Sequence, residues 1–308
     1  NAQARSSLSM ENHWNWQIRQ IWPFPLFGRS MAWLRVLKHI TRKGRQKMSS
    51  LKGKTAFISG GSRGIGLAIA SQLSKQGVNV MIASSSEDHI TAATSTIKTA
   101  SSMKIEGHAA DLRTLAGCEA AFNAHTKQFD ACDIFVHSAG ATKGGVFPTQ
   151  PDADFIDGFA LKFHAGVRLS RLFWPMLKVA RGNVVMIVGG AARTPDQTFM
   201  VGGAVNAALA NYSKALAGQG LVDDVNVNWV SPGQTETERL QTLIAARASD
   251  ESKTVDAVRQ ERMLDEGIRR LGQPDDVAAL VCFLCSKQAR HIHGAGIAID
   301  GGATKGCF

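Results

Sequence analysis

The chain has 308 residues, 44% apolar and 19% charged, the make-up of an ordinary soluble globular protein with a sizeable core. Its five cysteines stand at irregular spacing, which does not suggest a disulfide framework and favours a reducing, intracellular compartment. The formal charge of +10 looks like a nucleic-acid signal, but residues 1–48 hold nine Lys and Arg against one acid, Glu11. The rest is close to neutral, so no basic patch and no nucleic-acid partner are expected of the folded part.

The first element is an extension, residues 1–48, which carries Trp14, Trp16, Trp22 and Trp33 and is broken by Pro23 and Pro25. From Met31 to Lys43, Trp33, Leu34, Leu37 and Ile40 share one helical face, with Arg35, Lys38, Arg42 and Lys43 elsewhere. Two readings stand. Such a helix suits an anionic membrane surface or an organelle-targeting segment. Alternatively it is an upstream extension, because the run from Met48 to Lys54 reads as a chain start just before the first strand. In both readings it lies outside a single domain over residues 49–308. No apolar run reaches the ~20 residues that span a bilayer.

From Thr55 onward strand-like and helical runs alternate. Strands are expected at Thr55–Ser59, Val78–Ala83, Lys104–Ala109, Ile134–His137, Asn183–Val188, Val225–Val230 and Gly296–Asp300. One long helix is expected from Phe155 to Leu177. The alternation implies an α/β fold with a parallel sheet covered on both faces. Cys282 and Cys285 sit in the apolar run Val277–Leu284, and His291 and His293 have no acidic partner at ligand spacing. They read as packing residues, and no metal site is expected.

The first strand runs into Ser59-Gly60-Gly61-Ser62-Arg63-Gly64-Ile65-Gly66, then a helix from Leu67 to Lys75. Glycines there permit a tight turn and close approach of phosphate, while the helix start offers N–H groups to a pyrophosphate. Further motifs follow in order: Asp111-Leu112; His137-Ser138-Ala139-Gly140; Pro232-Gly233-Gln234-Thr235-Glu236-Thr237; Arg270-Leu271-Gly272-Gln273-Pro274; and Asp300-Gly301-Gly302. Over residues 51–302 the chain resembles the short-chain dehydrogenase/reductase family.

The resemblance implies a three-layer Rossmann-type doubly wound fold with a seven-stranded parallel sheet. It also implies a cofactor site at Gly60, Ser62, Arg63, Gly64, Ile65, Gly66, Ser84, Ser85, Asp111, Leu112, Ala139, Gly140, Pro232, Gly233, Thr235 and Thr237. Within it, Asp111 is expected at the adenine and the Pro232–Thr237 turn at the nicotinamide. An NAD site wants a carboxylate after the second strand, whereas this chain has Ala83-Ser84-Ser85-Ser86 and no acid before Glu87. Arg63 suits a 2′-phosphate, so NADP(H) is favoured over NAD(H).

The family's usual mechanism needs a Tyr, a Lys four residues later, a Ser thirteen residues before the Tyr, and an Asn on the preceding helix. Tyr212 and Lys214 are two apart and cannot share a helical face. The run from Asn206 to Ala217 matches the family better, and puts Asn206 at the Lys position, Gly202 at the Tyr position and Gly189 at the Ser position. Lys162 then stands where the Asn is usual, as if Lys and Asn were exchanged. Lys162 and Asn206 are the catalytic candidates, with His164, Thr142 and Thr194 as possible helpers. Two glycines at the vacated positions are expected to leave a void. For Lys162 the competing reading is a side chain that points to solvent or pairs with Asp154 or Asp157.

Three functions fit these residues: an oxidoreductase with a non-standard site acting on a carbonyl or alcohol, a catalytically inactive dinucleotide-binding sensor, scaffold or partner subunit, and a lyase or isomerase. The first is favoured. The expected partners are a small-molecule substrate and further copies of the chain in a homo-oligomer, commonly a tetramer in the family. Its contact would use Phe173, Trp174, Met176, Leu177, Leu209, Tyr212 and Leu216. Membrane-surface contact is expected of the extension only. The expected location is cytoplasmic, or mitochondrial if residues 1–47 are a targeting segment.

Overall fold

A computed structural model describes residues 51–306, so the tryptophan-rich extension and its expected helix lie outside the described residues. Seven strands form one sheet: β1 (Thr55–Ser59), β2 (Asn79–Ser84), β3 (Ile105–Ala109), β4 (Ile134–His137), β5 (Asn183–Ile187), β6 (Asn226–Pro232) and β7 (Gly296–Ile299). Their order is β3-β2-β1-β4-β5-β6-β7, and every pairing is parallel. This is the expected doubly wound architecture.

Helices cover both faces because the central strands are apolar on both. Along β1, Ala56 and Ile58 pack on one side with Ile69, Leu73, Ile82, Val277 and Val281. They meet α1 (Gly64–Lys75), α2 (Glu87–Ala100) and α9 (Pro274–Leu284). Phe57, between them, faces the other way into a cluster with Met81, Phe135, Phe173 and Leu209. There the sheet meets α3 (Leu115–Gln128), α5 (Ala165–Ala180) and α6 (Met200–Asp223). Phe173 lies 4.5 Å from Phe57 and 5.8 Å from Phe135, centroid to centroid. A smaller cluster, Leu240, Ile244, Val258 and Leu271, holds α7 (Glu238–Asp250) and α8 (Val255–Glu266) beyond the end of β6.

Two expectations need correction. Phe173, Leu177 and Leu209 are fully buried against the sheet, so they cannot supply a contact between copies of the chain. Trp174, Met176, Tyr212 and Leu216 remain half-buried. The long helix from Phe155 to Leu177 is interrupted: α4 (Asp152–Gly158) passes into a π-helical turn, Phe159–His164, before α5 begins. The periodicity of apolar residues hardly changes across one π turn, so the sequence pattern hides it. A side chain from β4, His137, hydrogen-bonds to a carbonyl within that turn. Cys282 and Cys285 are buried, as expected of packing residues, and no cluster of metal-ligating side chains occurs among the described residues.

Candidate active site

The crevice opens at the carboxyl ends of β1 and β4, where the strand order reverses. The turn after β1 is held by the Gly60 N–H, which donates to the Ala83 carbonyl at 2.7 Å. Gly60 has φ +70°, and a Cβ there would lie 2.7 Å from the Ala139 backbone. Gly66 leaves no room for a Cβ beside the Gly60 carbonyl. Helix α1 starts at Gly64, three residues earlier than the sequence suggests, so Gly64, Ile65 and Gly66 form its first turn. Arg63 caps it without a side-chain hydrogen bond, and no acid stands in that turn. By contrast, α2 has Ser86 as a capping acceptor and Glu87 and Asp88 in its first turn. The N–H groups and positive dipole end of α1 are therefore free for an anion.

The other expected cofactor residues border this turn or build its walls. Ser62 is buried and Ile65 packs on the core beneath. Ser84 ends β2 with a buried hydroxyl that has no hydrogen-bond partner, and Ser85 beside it is exposed. Among the described residues Arg63 reaches only Glu238, at 3.6 Å between exposed side chains, a pairing that stabilises little. Asp111 accepts from the Arg113 N–H at 3.1 Å, and buried Leu112 receives the Cys118 thiol on its carbonyl. Ala139 touches Gly60, and Thr237 touches Gly64, where a Cβ would meet its methyl at 3.2 Å. Pro232 ends β6. Gly233 donates to the Ile299 carbonyl at 3.1 Å, and the Thr235 hydroxyl donates back to the Gly233 carbonyl at 3.0 Å. The residues present thus fit a dinucleotide: an open helix N-terminus, glycines that admit close approach, and an orphaned hydroxyl at the end of β2.

Gly189, Gly202 and Asn206 lie together. Asn206 is buried; its Oδ1 accepts from the Gly189 N–H at 2.6 Å and its Nδ2 donates to the Gly202 carbonyl at 2.7 Å. With both ends of its amide engaged, Asn206 clamps α6 to the end of β5. The expected void is absent, because the Phe199 ring occupies the space a Gly202 side chain would need and the Asn206 amide lies against Gly189. Tyr212 is further along α6, edge-on to Phe163 at 6.0 Å. His164 and Thr194 are exposed, and the Thr194 hydroxyl donates to the Gly190 carbonyl at 3.2 Å.

Lys162 sits in the π turn with its aliphatic stem across Gly140; a Cβ on Gly140 would lie 2.9 Å from the Lys162 Cδ. The two acids that could have taken it are engaged elsewhere, Asp154 with Lys143 at 2.9 Å and Asp157 with Arg113. Among the described residues the Lys162 amine has no hydrogen bond or ion pair. Burial, and then the positive charge of Arg239, push its pKa down to about 8.

Sequence reasoning missed what fixes this lysine. His137 Nε2 is 2.8 Å from the Lys162 carbonyl, and Nδ1 is 2.8 Å from the Ser59 hydroxyl. A carbonyl only accepts, so Nε2 carries the proton and Nδ1 accepts from Ser59. The Ser59 oxygen in turn receives the N–H groups of Ser138 and Ala139 at 3.2 and 3.3 Å. Gly166 leaves room for the ring, since a Cβ there would approach it to 3.2 Å. The imidazole thus holds a carbonyl that the π turn makes available. Burial pushes the His137 pKa down to about 4, so it stays neutral at pH 7. The signal available in the sequence was His137 itself, standing where the resembled family usually has Asn.

Comparison with known proteins agrees with this geometry. Residues 60–304 match the family described as Enoyl-(Acyl carrier protein) reductase. The chain is 32% identical to the uncharacterized oxidoreductase YvaG of Bacillus subtilis (strain 168), over 84% of this chain and 99% of that one. It is 29% identical to the 3-oxoacyl-[acyl-carrier-protein] reductase FabG of Vibrio cholerae, over 82% and 98%. L-sorbose reductase from Gluconobacter frateurii, solved with NADPH and L-sorbose, superposes with a TM-score of 0.81 at 26% identity, over 84% and 99%. The chain belongs to the short-chain dehydrogenase/reductase family of oxidoreductases. Among the described residues no helix is long and apolar enough to cross a membrane.

Proposed function

We propose that this protein is an NADP(H)-dependent oxidoreductase of a small carbonyl or alcohol, in which Lys162 takes over the proton transfer for which the family ordinarily uses a tyrosine. The observation that carries this reading is an intact dinucleotide cradle with an unpaired, partly desolvated lysine amine beside Gly140. When bound, the reduced nicotinamide supplies a hydride to the carbonyl carbon. The protonated Lys162 amine donates its proton to the carbonyl oxygen. A pKa of about 8 leaves the amine mostly charged at pH 7 yet a better acid than an ordinary lysine. The NADPH-bound sorbose reductase supports the cofactor class. Supporting NADP(H) over NAD(H) are the serines after β2 and the weakly held Arg63.

The same reading keeps residues 1–48 outside the catalytic domain and places the site residues within one chain of a homo-oligomer. One observation favours a second reading, dinucleotide binding without turnover: no hydroxyl lies at Gly189 or Gly202, and Phe199 and Asn206 fill that ground.

Fluorescence titration of the full chain tests the cofactor. NADPH is expected to bind at least about tenfold tighter than NADH, as one charge-assisted guanidinium–phosphate contact implies. Arg63→Ala is expected to narrow the gap. Equal affinities, or a gap that Arg63→Ala leaves unchanged, would remove the 2′-phosphate reading.

A further inference from the structure

Two cations face one short stretch of chain, and among the described residues neither forms an ion pair. The Lys162 stem lies on Gly140. Two residues on, the Thr142 carbonyl accepts from Arg239 Nη2, at the start of α7, the helix that follows the nicotinamide turn. Arg239 makes no ion pair among the described residues. Its neighbour Glu238 is turned to Arg63, and Glu236 is held by Arg259 at 2.7 Å. With Asp154 and Asp157 also engaged, every carboxylate of α4 and of the turn before α7 that could neutralise the pair is taken, Asp152 at the start of α4 excepted. Their mutual repulsion shows in the Lys162 amine, whose pKa Arg239 lowers further than burial does alone.

From this arrangement we infer that Lys162 and Arg239 together form a carboxylate subsite, and that the substrate is a short oxo acid whose carboxylate lies close to the carbonyl to be reduced. This rests on the oxidoreductase reading above and names its substrate class. A primary ammonium has three donors, enough to reach the carbonyl oxygen and one carboxylate oxygen when the two oxygens are separated by two or three carbons. The planar guanidinium of Arg239 keeps further N–H donors beyond the one given to Thr142 and suits the other carboxylate oxygen. Arg239 rides on α7, so ligand carboxylate would also tie that helix to the crevice.

Calorimetric titration of the full chain with two matched pairs, pyruvate against pyruvamide and acetoacetate against acetoacetamide, tests the subsite, with and without NADPH. In at least one pair the acid is expected to bind about tenfold or more tighter than its uncharged amide. Arg239→Gln, on an exposed side chain, and Lys162→Met are each expected to erase that preference. Thermal melts of both variants establish that they are folded. Equal affinity of acid and amide in both pairs, no binding of either acid, or a preference that survives both substitutions would overturn the subsite. NADPH affinity in the same samples separates this from the parent reading. Acid preference without NADPH binding would sink the cofactor assignment and leave the subsite standing, whereas NADPH binding without acid preference would do the reverse.

Discussion

Replacing Lys162 by methionine is expected to make the ligand-free protein more stable and its site less able to bind. The unfolded lysine titrates near 10.5 and the folded one near 8. Between those values the unfolded chain holds a proton that the folded chain has lost, so stability rises with pH across that window. Below pH 8 both forms are charged, and the folded state carries the cost of a partly desolvated ammonium with no counter-ion. Methionine has nearly the same stem and no charge. The variant should therefore gain about 1–3 kcal/mol at pH 7, or roughly 2–4 °C in melting temperature per kcal/mol. The gap to the natural protein should close as pH climbs from 8 toward 10.5. Chemical denaturation at pH 7 and pH 10 reads this directly. A variant of equal or lower stability at pH 7 would mean that the amine is solvated or paired, and Lys162 would lose its claim as a poised group.

The second large effect belongs to His137, through the opposite balance of stability and function. Among the described residues its ring links the Ser59 hydroxyl proton to the Lys162 carbonyl. His137→Leu fills similar space but leaves both groups without that partner, at a cost of about 2–4 kcal/mol in total. The pH dependence gives a second readout. His137 is held down to about 4 from 6.5, so as pH falls below 6.5 the unfolded chain takes up a proton that the folded chain refuses. Stability is lost progressively down to pH 4, by about 3 kcal/mol from this group. Buried His125 is shifted the same way, so the difference between the natural protein and the variant isolates His137. A variant that loses stability at pH 7 and shows a shallower acid limb is expected. Unchanged stability together with an unchanged acid limb would show that the imidazole does not hold the π turn.

What could be read from the sequence, and what could not, divides along physical lines. Strand positions were legible because a parallel sheet covered on both faces demands continuous apolar runs, and Phe57 alternating with Ala56 and Ile58 is one of them. The glycine turn was legible because only glycine tolerates the +70° φ of Gly60 against the Ala139 backbone. The family resemblance, counted along one helix and one strand end, brought Gly189, Gly202 and Asn206 to one place. The π turn was not legible, since its carbonyl partner is His137, 25 residues before Lys162, a contact that no local pattern records. Nor was the filling of the vacated ground by Phe199, which depends on where the loop after Gly190–Ala192 returns to α6. Arg239 carries no motif that marks it in the sequence. Its pairing with the Thr142 carbonyl comes from tertiary structure alone.

Hydride transfer without a tyrosine is the claim on which the rest depends, and isotope transfer tests it most directly. NADPH carrying deuterium at the transferring carbon would be incubated with the full chain and the two oxo acids, and the product hydroxy acids analysed for label. Deuterium at the former carbonyl carbon is expected with the natural protein. Lys162→Met is expected to slow its appearance by about 10²–10⁴-fold, the usual contribution of a positioned acid. Saturating NADPH binding with no label in either product, or labelling at the same rate in Lys162→Met, would contradict it.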